Sequence, residues 1–162
     1  YTQFVLPVFD RWWNLNDPSI RIRSFLHYVQ SALGYTPKIC SRDSGCHKFL
    51  SVESDGKVYP CGKLSDIEEL CLGNIKHQSF YEIMLSKEWK SYMTIAKSKS
   101  KDCLSCEWLN VCNNGCTATR YTSNGQFLEK SAECEATKII LSHVKKRVEE
   151  TKLNQELTNG NG

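Results

Sequence analysis

Cys103-Leu104-Ser105-Cys106-Glu107-Trp108-Leu109-Asn110-Val111-Cys112-Asn113-Asn114-Gly115-Cys116 places four thiols within fourteen residues. Thiolates are soft ligands, and a run spaced CxxCxxxxxCxxxC can bring them to one point, as a tetrahedral iron or zinc site requires. Outward from this run, Cys134 follows on the C-terminal side, and Cys40, Cys46 and Cys61 form a looser N-terminal group. These eight of the nine cysteines match the need of two four-cysteine centres, and Cys71 stands apart.

Three chemistries compete for these thiols. Disulfides suit small secreted domains, yet the opening YTQFVLPVFDRWW has no basic leader region, and no apolar run reaches the roughly 18 residues of a spanning helix. A cytoplasmic protein without a membrane partner is the expectation. Zinc also uses CxxC, but commonly as two matched pairs, whereas the cysteines after Cys106 are separated by five, three and seventeen residues. Iron-sulfur proteins braid their ligands, the last cysteine of one run serving a neighbouring cluster, and this pattern fits best. A non-catalytic zinc-binding interaction module is the alternative from another class.

Composition narrows the partners. Lys and Arg exceed Asp and Glu by only three, and the one dense basic stretch, Lys97 to Lys101, alternates with serine. It reads as a solvated linker, so no nucleic-acid partner is expected. The 162 residues suffice for one domain with a modest core, and a start at Tyr1 running directly into apolar sequence reads as a piece of something longer.

Periodicity predicts an α+β fold. Val5, Phe9 and Trp13 share a helical face over Phe4 to Trp13, with Pro7 near its start, and Asp17-Pro18 breaks it. Ile20 and Ile22 alternate with Arg21 and Arg23, predicting a short strand, and Phe25 to Leu33 predicts a helix closed by Gly34. Helix, strand and helix would be the end of a (β/α) barrel. From Cys40 onward, Phe49 to Ser54 and Lys57 to Pro60 flank Asp55-Gly56, a hairpin signal that would bring Cys46 and Cys61 together. Leu72 to Ile75 reads as a turn, Phe80 to Leu85 and Glu88 to Ala96 as helices, the dense cysteine run as loop, and Ala132 to about Gln155 as the final helix. Loops of this kind lack an apolar core, so metal binding is expected to supply much of their folding free energy.

The order Cys46, nine residues, Gly56, four residues, Cys61, then Cys103, Cys106, Cys112, Cys116 and finally Cys134 resembles the SPASM motif. That motif marks the C-terminal auxiliary-cluster domain of radical S-adenosylmethionine enzymes that modify peptides and proteins. Cys40 adds an eighth ligand, as in the anaerobic sulfatase-maturase branch. The resemblance implies a barrel-end remnant at residues 1–39, a SPASM domain with two 4Fe-4S clusters at 40–140, and a C-terminal helix with a disordered tail at 141–162. It further implies that Cys116 crosses over to join Cys40, Cys46 and Cys61 at the first cluster, leaving Cys103, Cys106, Cys112 and Cys134 for the second. S-adenosylmethionine and a third cluster belong to the radical core. Its CxxxCxxC motif does not occur here, because Cys112xxxCys116 is followed by Thr119.

The expected role is therefore auxiliary cluster binding, with electron transfer and substrate support, in an enzyme acting on a ribosomal peptide or protein. The radical core would be missing or on a separate chain, and this chain alone would not be catalytically competent. A fragment of a formylglycine-forming sulfatase maturase is the nearer alternative, and an independent electron-transfer protein serving a separate radical partner is another. In sulfatase maturases the residue after the hairpin's second cysteine resembles a general base, an aspartate. Here it is Gly62, which cannot take a proton, and Asp66 four residues on reads as a cap of a turn or short helix.

The remaining candidates have plainer readings. Cys71 between leucines reads as a buried thiol acting as a small hydrophobe. His27, His47, His77 and His143 have no mutual metal spacing, and only His47 neighbours a ligand cysteine. Trp12, Trp13 and Trp89 read as core, while Trp108 would shield cluster sulfur from water. Asn113-Asn114-Gly115 reads as a turn with amide donors.

Overall fold

The computed structural model describes residues 1–43 and 45–159; the expected disordered tail falls partly on 160–162, outside the described residues. The chain divides into two compact units, one of residues 1–37 with 133–162 and one of residues 38–132.

The first unit contains three helices, α1 (Thr2–Leu15), α2 (Arg23–Ala32) and α8 (Cys134–Asn159), with α8 packed on both of the others. The predicted apolar face of α1 is real: Val5 and Phe9 are buried, and Phe9 meets Phe25 of α2 edge-on at 5.4 Å. Pro7 sits within α1 rather than in its first turn. Its missing N–H removes the i→i−4 donor to the Gln3 carbonyl, on an exposed residue open to solvent. On the α1–α8 seam, Asp10 holds His143 at 2.8 Å and Arg147 at 3.3 Å, and Arg147 reaches Asn14 at 2.6 Å.

The strand expected at Ile20 to Phe25 does not form. Residues 20–22 carry no regular structure, and Arg23 already begins α2. Strand pairing requires a neighbouring edge to satisfy its amides, and none is supplied to this segment. Instead Trp12 donates to the Ile20 carbonyl at 2.7 Å, and Asp17 accepts from the Ser19 amide at 2.9 Å. Helices and a small antiparallel sheet make up the fold of the described residues.

The second unit is built on a three-stranded antiparallel sheet, β1 (Ser51–Val52), β2 (Lys57–Tyr59) and β3 (Gly73–Asn74), in that order. The Asp55-Gly56 hairpin pairs Val52 with Val58. The segment read as a turn at Leu72 to Ile75 supplies the third strand, pairing Val58 with Gly73, because a two-residue strand has too little periodicity to declare itself. Gly56 has φ +90°, and a Cβ there would lie 2.6 Å from Asn74 Oδ1, which is itself held by the Lys76 amide. Gly56→Ala is therefore expected to cost about 1–2 kcal/mol or more in anaerobic denaturant titrations; a neutral substitution would contradict this account of the turn.

Two capped helices follow: α3 (Phe80–Leu85), opened by a Ser79/Glu82 capping box, and α4 (Lys87–Lys97), capped by Ser86. The cysteine run then departs from the loop expectation. Cys103 lies in α5 (Lys101–Leu104) and Cys112 ends α6 (Leu109–Cys112), while Cys106 and Cys116 lie in the links between them and before α7 (Thr117–Asn124). The unit also has an apolar core, contrary to expectation: Val58, Leu64, Leu72, Ile83, Trp89, Tyr92, Ala118 and Phe127 pack together. The residues of this core are spread from 58 to 127, which is why no single stretch of sequence revealed it.

Candidate metal centre

Cys46 lies in a single tight helical turn, Gly45–Lys48, just before the hairpin, and Cys61 stands one residue beyond the end of β2, after Pro60, at the start of the Gly62–Leu64 turn. Cys116 caps the start of α7, where its carbonyl accepts the Arg120 amide at 3.0 Å. Cys46, Cys61 and Cys116 all pack against the apolar core, which thereby orients three thiols from sequence positions 70 residues apart. Cys40 is more exposed. Its thiol is held above the ordinary range first by partial burial, then by the neighbouring Cys116, Cys46 and Cys61 sulfurs and Asp43. Three cysteines that raise a fourth in this way lie near it, and a cationic metal centre would relieve the cost of its thiolate.

Cys103, Cys106 and Cys112 are carried on α5, the turn after it, and the end of α6. The Cys106 amide donates to the Cys103 carbonyl at 3.1 Å, and the Cys112 amide to the Trp108 carbonyl at 2.8 Å. Trp108 is buried between these cysteines. Three successive residues, Asn113, Asn114 and Gly115, have left-handed backbones with φ of 50°, 70° and 69°. This reversal ends α6 and launches α7, so Cys112 and Cys116 stand on different elements despite their close spacing. The Asn113 side-chain amide also donates to the Arg42 carbonyl, tying the turn to the Cys40 segment. Cys134 opens α8 in the other unit.

None of the nine cysteines is joined in a disulfide. Among the described residues, no three His, Cys, Asp or Glu side chains form a site for a single metal ion. A mononuclear zinc site draws four thiolates to about 2.3 Å from one point. A 4Fe-4S cluster instead distributes its four cysteines over four iron corners.

The other sequence candidates separate. Asn114 accepts from the Cys103 thiol at 2.8 Å. His47 is exposed, and His143 hydrogen-bonds Asp10. Cys71 is half-buried rather than buried, its thiol donating to the Gly73 carbonyl at 3.5 Å beside a cleft lined in part by Leu70, Leu72, Tyr92 and Phe127. Gly62 and Asp66 are both exposed; Asp66 lies between two short turns, and the residue capping the second is Ile67.

Three residues near the thiols were not singled out from sequence. The Tyr92 hydroxyl is shifted upward first by burial, then by charge and hydrogen bonding from Cys46, with Cys61 and Cys116 adding to it. Thr117 Oγ1 lies 3.3 Å from Cys46 Sγ. Arg120 is almost wholly buried. Thr117 and Arg120 stand at i and i+3 of α7, a pairing visible only once that helix is recognised; its threonines and serine obscure it.

Residues 40–107 match the SPASM family, an iron-sulfur cluster-binding domain. The chain is 28% identical over 140 residues to the cysteine-type anaerobic sulfatase-maturating enzyme of Clostridium perfringens, covering 85% of this chain but 38% of that one. It is 36% identical over 86 residues to the AdoMet-dependent heme synthase of Methanosarcina barkeri, covering 53% of this chain and 23% of the relative. The solved structure of native anSMEcpe with bound AdoMet superposes with a TM-score of 0.76 at 27% identity, over 95% of this chain and 42% of that one. The chain thus spans well under half the length of these proteins. Among the described residues, no helix is long and apolar enough to cross a membrane.

Proposed function

We propose that this chain, which carries a SPASM iron-sulfur cluster-binding domain and is homologous to anaerobic sulfatase-maturating enzymes, holds two auxiliary 4Fe-4S clusters within a cytoplasmic radical S-adenosylmethionine enzyme. The observation that carries this reading is that Cys46, Cys61 and Cys116, from distant segments, pack against one apolar core and all act on the Cys40 thiol. The second set is Cys103, Cys106, Cys112 and Cys134. The orphaned, buried Nε of Arg120 amid cysteines supports the fit, since a buried cation needs negative charge nearby.

The clusters, when bound, supply one-electron transfer. The protein's part is to fix the thiols, exclude water through Trp108 and the apolar core, and face a peptide or protein substrate. Residues 1–39 would continue from the barrel of a radical core, residues 40–140 form the cluster domain, and 141–162 the C-terminal extension. Eight available thiols saturate both clusters, favouring electron transfer over direct ligation of substrate.

Gly62 selects among substrates. A positioned base typically contributes a factor of about 10² to 10⁴ to a proton abstraction, and neither Gly62 nor the outward-lying Asp66 supplies one at the hairpin's end. We therefore favour bond formation within a ribosomally made peptide over oxidation of Cys or Ser to an aldehyde. The second reading, formylglycine formation, draws on the sulfatase-maturating relative and on the similarity to a structure of anSMEcpe with bound AdoMet and Kp18Cys peptide, at a TM-score of 0.72. A full-length enzyme carrying this domain is expected to leave a CxPxR or SxPxR peptide unoxidised and to crosslink a peptide encoded near its gene, as read by mass spectrometry. Formylglycine formation, abolished by Asp66→Asn, would restore the sulfatase-maturase reading.

A further inference from the structure

Arg120 is 1% exposed, yet none of the ion pairs among the described residues includes it. Nη1 donates to the carbonyls of Phe127 and, at 3.4 Å, Ser98. Nη2 donates to the Ala96 carbonyl at 3.4 Å and to Thr117 Oγ1 at 3.1 Å, while Nε has no partner. Carbonyl dipoles satisfy N–H groups, but they do not neutralise a buried cation, whose transfer out of water is unfavourable without an opposing charge.

The groups acting on Arg120 that can become anionic include cysteines from both sets, Cys46 and Cys116 of the first and Cys103 of the second. Hydrogen bonds trace the same link without reference to charge. Cys46 Sγ contacts Thr117 Oγ1 at 3.3 Å, and Thr117 Oγ1 accepts from Arg120 at 3.1 Å. Arg120 donates to the Ser98 carbonyl, which also accepts from Asn114 Nδ2 at 3.2 Å, and Asn114 Oδ1 accepts from Cys103 Sγ at 2.8 Å. One arginine therefore stands in the middle of a chain running from a thiol of the first set to a thiol of the second.

We propose that Arg120 is a counter-charge shared by the two cluster sites, raising the reduction potential of both and linking them electrostatically. The proposal rests on the two-cluster reading above. A four-thiolate cluster is anionic and gains a further electron on reduction, so a fixed cation beside it favours the reduced form. Thr117 extends the effect: once Cys46 is a thiolate, the hydroxyl that accepts from Arg120 is free to donate its own proton to that sulfur, and hydrogen bonds to cluster sulfur also tune the potential.

The test uses the whole chain, reconstituted anaerobically with iron and sulfide, with iron content and EPR-monitored redox titration as readouts. Arg120→Gln is expected to make both clusters harder to reduce, by at least tenfold in each reduction equilibrium, equivalent to about 59 mV for one electron. Arg120→Lys, which keeps the charge, should recover most of this shift. Thr117→Val should move the Cys46 cluster alone. Potentials that stay within twofold in Arg120→Gln, or that move at only one cluster, overturn the shared role. Should Arg120→Gln fail to retain iron, the neutral Arg120→Met decides by the same readout: a tenfold or greater drop at both clusters sustains the proposal, and potentials that stay within twofold or move at only one cluster overturn it. Wild-type protein near about four iron per chain would instead sink the two-cluster reading, whereas about eight iron with insensitive potentials would sink only the role of Arg120.

Discussion

Cys116→Ala is expected to reduce reconstituted iron from about eight to about four per chain, because it removes one corner of a single four-iron cluster. The local spacing would assign Cys116 to the same centre as Cys112, only four positions earlier. The left-handed run at 113–115 separates the two, and Cys116 instead acts on the Cys40 thiol together with Cys46 and Cys61. Double substitutions turn this into a sharp measurement, since residues serving one unit are non-additive and residues serving separate units add. Cys116→Ala with Cys46→Ala should retain about four iron, no less than either alone, while Cys116→Ala with Cys106→Ala should retain almost none. Cys71→Ala, whose thiol donates to the Gly73 carbonyl, should keep the full complement. Additive loss between Cys116 and Cys46 would overturn the assignment.

Leu64→Ala is expected to destabilise the metal-free second unit by about 2–5 kcal/mol, the range for emptying a fully buried leucine site. Leu64 is 0% exposed and packs with Val58, Ile83 and Trp89, so the loss combines transfer free energy with a cavity that the surrounding sheet and helices cannot close. Anaerobic denaturant melts of chelated protein, followed by circular dichroism, would measure it. The outcome also decides how far the fold depends on metal. A cooperative melt of the chelated protein, shifted by this substitution, means that the apolar core carries residues 38–132 before any cluster arrives. A non-cooperative melt, indifferent to Leu64, would mean that metal ligation supplies the folding free energy instead.

Much of the local architecture was legible because its signals are short-range. Phe80 to Leu85 reads as a helix with the bounds that α3 has, Asp55-Gly56 announces the hairpin, and Val5 with Phe9 marks the inner face of α1. The failures share a different origin. Ile20 to Phe25 alternates like a strand but lacks an edge to pair with, and Gly73–Asn74 pairs as a strand without any alternation to betray it. Pairing is decided by what lies opposite, which local sequence does not specify.

The sequence by itself determined the chemistry available to this protein: eight thiols in two groups, a glycine where the hairpin turns, and no CxxxCxxC. These are properties of residue type and spacing, and they survive without knowledge of the fold. The tertiary structure alone decided which groups surround the thiols. Tyr92, Thr117 and Arg120 carry no motif, yet packing of α4 and α7 against the sheet brings them to Cys46, and Asn114 to Cys103. Burial sets the strength of those contacts, since a charge or hydrogen bond acts far more strongly where water is excluded, and burial arises only when distant segments close on one another.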